Sequence, residues 1–268
     1  MSQEIEEELG KLQIGEDLQK SEQEESSEEE VPPAVKVGLL NVRSIKNMKE
    51  KRRKIKDLIT EQNLDVFLLT ETWLENDTPD VALEETKPEN FDIHQQPREG
   101  RGGGVAILFS QELRGERIPF DSTITTFEYV ATALRHEEWD EDVLFINVYQ
   151  PSTYSIENYE IFVGDLDMLL REVFKRYNRI IVAGDFNVHF EDPSNAKKKT
   201  LEAACMSSFV QNVKKPTHKK GGSLDLVFSR NVKVKIVDIR DDGISDHFTV
   251  YFSVRPRSKA NPLVWASK

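Results

Sequence analysis

The chain has 268 residues and carries 36 basic against 48 acidic side chains, a formal net charge of −12. It holds no apolar run long enough to cross a bilayer, and its acidic start is the reverse of a secretory signal, which opens basic and then turns apolar. An intracellular protein without a membrane anchor is expected, and Cys205, the single cysteine, has no partner for an internal disulfide and reads as a small packing residue.

An acidic chain is a poor match for nucleic acid, because phosphate binding rewards lysine and arginine. The way the charge is distributed removes that objection. Residues 1–33 hold 12 of the 48 acidic residues and 2 of the 36 basic ones, so the rest is close to neutral and can present a basic face beside an acidic site. The leader is rich in Glu, Gln and Ser, a composition that buries too little surface to offset the entropy of ordering, and disorder is expected over 1–33. Ile5, Leu9 and Leu12 do fall at helical spacing, which would suit a protein partner of the leader. Pro32 and Pro33 mark the boundary of a domain expected over 34–256, with a polar tail over 257–268.

From residue 35 the pattern becomes one of β-branched and aliphatic runs separated by charged helical stretches. Residues 35–42 read as a strand and 48–62 as a basic amphipathic helix with Ile55, Leu58 and Ile59 on one face. Strands are predicted over 66–70, 105–109, 129–134 and 143–149, with polar turns between them. The spacing of Phe162, Leu166, Leu169, Leu170 and Val173 predicts a long helix over 159–177. Further strands are predicted over 180–183, 224–228, 234–239 and 249–254. The sum is a mixed α/β domain with two sheets and flanking helices, and no internal repeat is visible.

Polar residues able to handle phosphate or metal recur where these strands stop: Asn41, Glu71, Tyr149, Asp185 with Asn187, and Asp246 with His247. Strand ends share one rim of a sheet, so residues distant in sequence can converge there. Four carboxylates, Glu71, Asp185, Asp225 and Asp246, would together need a compensating cation. With oxygen ligands dominant, Mg²⁺ fits, Mn²⁺ is the natural substitute, and Zn²⁺ does not fit.

The segments Asn41-Val42-Arg43-Ser44, Thr70-Glu71-Thr72-Trp73, Asn147-Val148-Tyr149-Gln150-Pro151, Gly184-Asp185-Phe186-Asn187, Gly222-Ser223-Leu224-Asp225 and Ser245-Asp246-His247 occur in this order. Together they resemble the motif series of the endonuclease/exonuclease/phosphatase superfamily, a four-layer α/β sandwich of the DNase I kind, over roughly residues 35–255. The run from Arg101 to Leu108 and the Lys215-Pro216-Thr217 segment look most like the endonuclease domains of non-LTR retrotransposons of the chicken-repeat kind. The resemblance implies a Mg²⁺-dependent phosphodiesterase that nicks one strand of double-stranded DNA, leaving 3′-hydroxyl and 5′-phosphate ends, and acts as a monomer in the nucleus.

By that resemblance Glu71 is the principal metal ligand, with Asn41 and Asp246 completing the metal set. Asp185 deprotonates the attacking water, Asn187 holds the phosphate, His247 donates to a phosphate oxygen, Asp225 fixes the imidazole, and Tyr149 adds a phenolic donor. Arg43 stands where many relatives carry an acid or amide, exchanging a metal ligand for a phosphate contact. Ser152 stands where several relatives carry an asparagine that grips phosphate. Arg43, Ser152, Arg101, Thr217, Lys219 and Lys220 are the expected substrate contacts, and Arg98, Lys214 and Lys215 are further candidates for the DNA backbone. Gly102, Gly103 and Gly104 precede a strand and read as a tight turn, unlike phosphate-cradling glycines, which follow a strand and open a helix. Trp73 and Phe186 read as packing groups, and His94, His136, His189 and His218 show no ligand spacing. Two other readings keep the fold: the same core acting on a phosphoinositide, a sphingolipid or RNA, or a binding module without activity.

Overall fold

Two six-stranded sheets form because nearly every long apolar run alternates between two buried faces. A computed structural model describes residues 34–98, 102–120, 124–152, 155–204 and 206–257. The expectations for the leader, for Cys205, for Arg101 and for the tail beyond residue 257 lie outside the described residues.

The strands are β1 (Val35–Asn41), β2 (Val66–Thr70), β3 (Phe91–Gln96), β4 (Val105–Ser110), β5 (Arg114–Arg117), β6 (Glu128–Arg135), β7 (Val143–Tyr149), β8 (Ile180–Asp185), β9 (Val210–Gln211), β10 (Asp225–Arg230), β11 (Lys233–Arg240) and β12 (Thr249–Arg255). The helices are α1 (Lys49–Glu61), α2 (Asp80–Glu84), α3 (Ile156–Val173) and α4 (Ala196–Ala204). One sheet has the order β11-β12-β1-β2-β4-β3 and the other β5-β6-β7-β8-β10-β9. Each is built around one parallel pair, β1 with β2 and β7 with β8, flanked by antiparallel neighbours. Each parallel pair is joined through a helix, α1 in the first sheet and α3 in the second, as parallel neighbours require.

Three apolar clusters fill the layers. Val37, Leu39, Leu68, Ile107, Phe145, Ile181, Val227 and Phe252 meet between the sheets. Leu58 and Ile59 of α1 pack with Leu40, Phe67 and Leu69 on the outer side of the first sheet. On the second sheet, Phe162, Leu166 and Leu169 of α3 cover Leu144, Ile146 and Val182. The result is the expected four-layer sandwich, helix on sheet on sheet on helix.

The elements absent from the sequence reading are α2, β3, β5, α4 and β9. All are short or polar: β5 reads Arg114-Gly115-Glu116-Arg117 and is mostly exposed, and β3 buries little beyond Phe91. Such edge strands owe their place to a neighbour's free backbone groups more than to their own side chains. The long helix begins at Ile156, three residues before the predicted start, because Ser155 caps it by accepting from the amide of Asn158. No described helix is long and apolar enough to cross a membrane.

Two glycines bracket what the backbone requires. Gly184 has φ of +143°, and a Cβ there would lie 1.9 Å from the carbonyl oxygen of Val148. Gly164 is an exposed position of α3 where a Cβ meets nothing within 4 Å. Gly184→Ala is therefore expected to lower the thermal unfolding midpoint steeply or to leave no folded protein, whereas Gly164→Ala should stabilise the domain by about 0.5–1 kcal/mol. Thermal melts of the two variants beside the wild type check both.

Candidate active site

Strand parity brings the polar residues together. Along β7, Val143 and Phe145 face the other sheet, so Tyr149 does too. By the same two-residue period Asp185 follows Ile181 and Ala183, Asn41 follows Val37 and Leu39, and Asp225 precedes Val227. All four point between the sheets at one rim. The register then sets them side by side, with Glu128, Tyr149, Asp185 and Asp225 forming one row across β6, β7, β8 and β10.

Asn41 closes the gap between the sheets. Its Nδ2 donates to Glu71 Oε1 at 2.9 Å and to Asp185 Oδ2 at 2.8 Å, while its Oδ1 accepts from the amide of Arg43. In this arrangement Asn41 is an amide bridge between two carboxylates. The other oxygen of Asp185 accepts from the amide of Asn187, whose side chain donates to the carbonyl of Gln150 at 2.7 Å. Glu71 Oε2 takes the indole N–H of Trp73 at 3.4 Å, so this ring orients the carboxylate as well as packing beside it.

Backbone conformation concentrates here too. Arg43, Ser44, Glu71, Trp73 and Asn187 all have positive φ, a region side-chain-bearing residues avoid unless their surroundings hold them there. The glycine turn does its part as a backbone clamp: Gly103 and Gly104 accept from the amides of Trp73 and Thr72. Both have positive φ, and a Cβ on Gly104 would meet the Thr72 hydroxyl at 2.5 Å. Glu128 secures the turn through the amide of Gly104 and an ion pair to Arg98. Sequence reasoning missed Glu128, since nothing in its flanks marks it, and Arg98 is thereby tied into the protein.

The second half of the site is a histidine between carboxylates. His247 Nδ1 lies 2.8 Å from Asp225 Oδ2, with His247 6% exposed and Asp225 fully buried. Burial works against a charge on His247, but Asp225, then Asp185 and Asp246, outweigh it and raise the imidazole to about 9. Burial, and next Asp225, push the Asp185 carboxyl well above the ordinary range. Burial and the carboxylates of Glu71 and Asp185 likewise hold Tyr149 as a neutral phenol. Ser245 accepts from the amide of His247 and donates to the carbonyl of Asn41, fastening this turn to the end of β1.

Asp246 lies on the same rim, its Oδ2 held by Arg43 Nη1 and, at 3.2 Å, by His218 Nε2. Arg43 is thus engaged with a carboxylate. Thr217 is fully buried, and its hydroxyl accepts from the amides of Leu224 and Asp225, each at 3.0 Å. With its hydroxyl engaged by two amides, Thr217 supports Asp225. Lys219 pairs with Asp241 at 2.9 Å, and Lys214, Lys215, Lys220 and Ser152 are exposed. His218, without ligand spacing in the sequence, is the second residue that the chain order concealed.

The donor set suits a cation. Asp185, Asp225 and His247 offer ligand atoms within 4.8 Å of one another, as do His218, Asp246 and His247. Oδ1 of Asp225 and Oδ1 of Asp246 are buried and have no hydrogen-bond partner among the described residues. Buried acceptors left open in this way are costly unless something positive meets them. Glu71 belongs to neither group, although its hydrogen bond to Asn41 keeps it on the same rim.

The structure is thus a two-sheet α/β sandwich with acids, an amide and a histidine converging on one rim. The model of the Endonuclease/Exonuclease/phosphatase family matches residues 38–247, and the chain belongs to this family. Its members are typically hydrolases of phosphoester bonds and generally use a divalent metal. No curated protein matches the chain. Among solved structures, the endonuclease domain of TRAS1, a telomere-specific non-LTR retrotransposon, is similar with a TM-score of 0.62 and 16% identity, covering 84% of this chain and 99% of that one. The human nocturnin catalytic domain is similar with a TM-score of 0.64 and 17% identity over 84% of this chain and 96% of that one. A Neisseria 3′ phosphatase, NExo, bound to a product DNA hairpin, has a TM-score of 0.61 and 17% identity over 82% of this chain and 98% of that one.

The Asp225–His247 pair carries a pH signature. Because the His247 value lies above the ordinary 6.5, its contribution to stability is complete below about 6.5 and is lost as pH rises through about 9. In metal-free protein, an NMR titration should find this imidazole charged well above neutrality. Asp225→Asn should bring its midpoint down to the ordinary value or lower and remove that part of the alkaline loss of stability.

Proposed function

We propose that this chain is a Mg²⁺-dependent DNA endonuclease that nicks one strand of a duplex, leaving 3′-hydroxyl and 5′-phosphate ends, and that it is related to non-LTR retrotransposon endonucleases. The observation that carries the reading is the single row of Tyr149, Asp185 and Asp225 with Asn41 bridging in front of it and His247 seated on Asp225. DNA as substrate is supported by the flanks of the motifs, by the likeness to the TRAS1 endonuclease domain and to NExo with its DNA hairpin, and by exposed Lys214, Lys215 and Lys220 in the loop that carries His218.

The positions support the following roles. Asp185 is buried with a raised proton affinity, which suits a base that takes a proton from water near neutral pH. Asp225 occupies Nδ1 of His247, so Nε2 is the nitrogen left to donate to a phosphate oxygen. Tyr149 remains a phenol and adds a donor to the same oxygens. Glu71 and Asp246, with Asn41 beside them, would hold the metal. A divalent cation held by these residues would supply positive charge against the phosphate oxygens. Water would add to phosphorus as its proton passes to Asp185, and the bond to the 3′ oxygen would break, that oxygen leaving as an alkoxide that takes a proton from solvent.

Purified protein with supercoiled plasmid, short RNA or inositol phosphates, each with Mg²⁺ or with EDTA, tests the reading. Metal-dependent relaxation of the plasmid is expected, reduced by about 10²-fold or more in Asp185→Ala. Glu71→Gln should raise the Mg²⁺ concentration needed, and His247→Ala should lower turnover with Mg²⁺ affinity retained in a calorimetric titration. Release of phosphate from inositol phosphates or cleavage of RNA alone would replace DNA as the substrate. Inert folded protein would leave a binding module.

A further inference from the structure

The segment 217–219 touches both halves of the catalytic pair, which come from different sheets. On one side, the Thr217 hydroxyl holds the amide of Asp225 at the start of β10. On the other, Thr217 accepts from the amide of Phe248 through its carbonyl at 2.6 Å, and the amide of Lys219 donates to the carbonyl of Asp246 at 2.9 Å. Between them His218 pairs with His247 in an isolated antiparallel bridge. The segment is itself held by a tight turn, in which the amides of Thr217 and His218 both donate to the carbonyl of Gly222.

The His218 side chain is placed as deliberately as the backbone. Its ring stands edge-on to that of His247, centroids 4.7 Å apart and planes at 79°. The amide of Lys220 donates to its Nδ1 at 3.1 Å. An Nδ1 that accepts cannot carry the proton, so the neutral ring bears it on Nε2. That nitrogen lies 3.2 Å from Asp246 Oδ2, with the His218 side chain 12% exposed. The consequence for Asp246 is directional: Oδ2 is tied, and Oδ1 is left buried with no partner among the described residues.

We propose that His218 is a positioning residue for phosphoester cleavage, its Nε2–H fixing the rotamer of Asp246 and its ring fixing the plane of His247, within a strap that locks Asp225 and His247 in register. The inference rests on the phosphodiesterase reading above. A residue that orients ligands in this way typically changes metal affinity or activity by about 10–100-fold when removed.

Two substitutions separate the donor from the ring. His218→Phe keeps the edge-on ring and loses Nε2–H, whereas the amide of His218→Gln can donate to Asp246 without a ring. With supercoiled plasmid and a Mg²⁺ titration, His218→Phe is expected to lower kcat by about tenfold or more and to shift the Mg²⁺ midpoint upward. KM for DNA and the melting temperature should change little, and His218→Gln should restore the Mg²⁺ midpoint but only part of kcat, because it lacks the ring beside His247. Metal-free wild-type protein labelled with ¹⁵N-histidine supplies a readout independent of turnover: a long-range ¹H–¹⁵N spectrum should show His218 as the Nε2–H tautomer. An Nδ1–H tautomer, or an active wild type matched by His218→Phe, overturns the inference alone. A folded wild type inert toward plasmid, RNA and inositol phosphates with Mg²⁺ overturns the phosphodiesterase reading and takes the inference with it.

Discussion

One side-chain nitrogen joins the two sheets where the chemistry is gathered. Asn41 Nδ2 donates to carboxylates from both sides of the sandwich, Glu71 after β2 and Asp185 at the end of β8. Without a shared donor these two acids would repel and splay. A buried carboxamide meets this need without adding charge of its own, and it does so from the end of β1, the strand paired with β2 and β12 in the middle of its sheet. The interior supports the same junction lower down, where Asn147 of β7 donates across the sandwich to the carbonyls of Leu69 and Ala106 at 2.8 and 2.9 Å. Two buried amides thus register one sheet on the other, and the apolar side chains between them fill the space without fixing its alignment.

Much of this was legible from residues alone, for a physical reason. Strands buried on both faces leave near-continuous apolar runs, so 66–70 and 143–149 were bounded correctly by where hydrophobicity stops. The same rule pointed to one rim, since a polar residue closing such a run must sit at a sheet edge. Parity then decided which rim residues face inward, as it did for Asn41, Tyr149, Asp185 and Asp225.

What the sequence hid depends on contacts rather than pattern. Glu128 opens β6 and looks like an ordinary surface acid, yet register sets it beside Tyr149. His218 lies far before His247 in a lysine-rich loop, and only the bridge between the two positions brings their rings together. Thr217 has the opposite history: its neighbours suggested a substrate contact, while its complete burial makes it a brace for Asp225. A one-dimensional pattern reports period and burial, but the partner of a loop side chain is set by how the sheets close.

The pairing of β1 with β12 has a consequence for how the protein is made. The second sheet is drawn from one continuous stretch, β5 to β10, whereas the first takes β1 to β4 from the early chain and β11 and β12 from the late chain. On the ribosome, where earlier segments emerge and fold first, the first sheet must wait with β1 unpaired on one side until β12 arrives. Asp246 and His247 immediately precede that strand. A nascent or prematurely terminated chain accordingly lacks both the strand that completes the sheet and the histidine seated on Asp225, so the cluster of acids and imidazole is assembled together with structural closure.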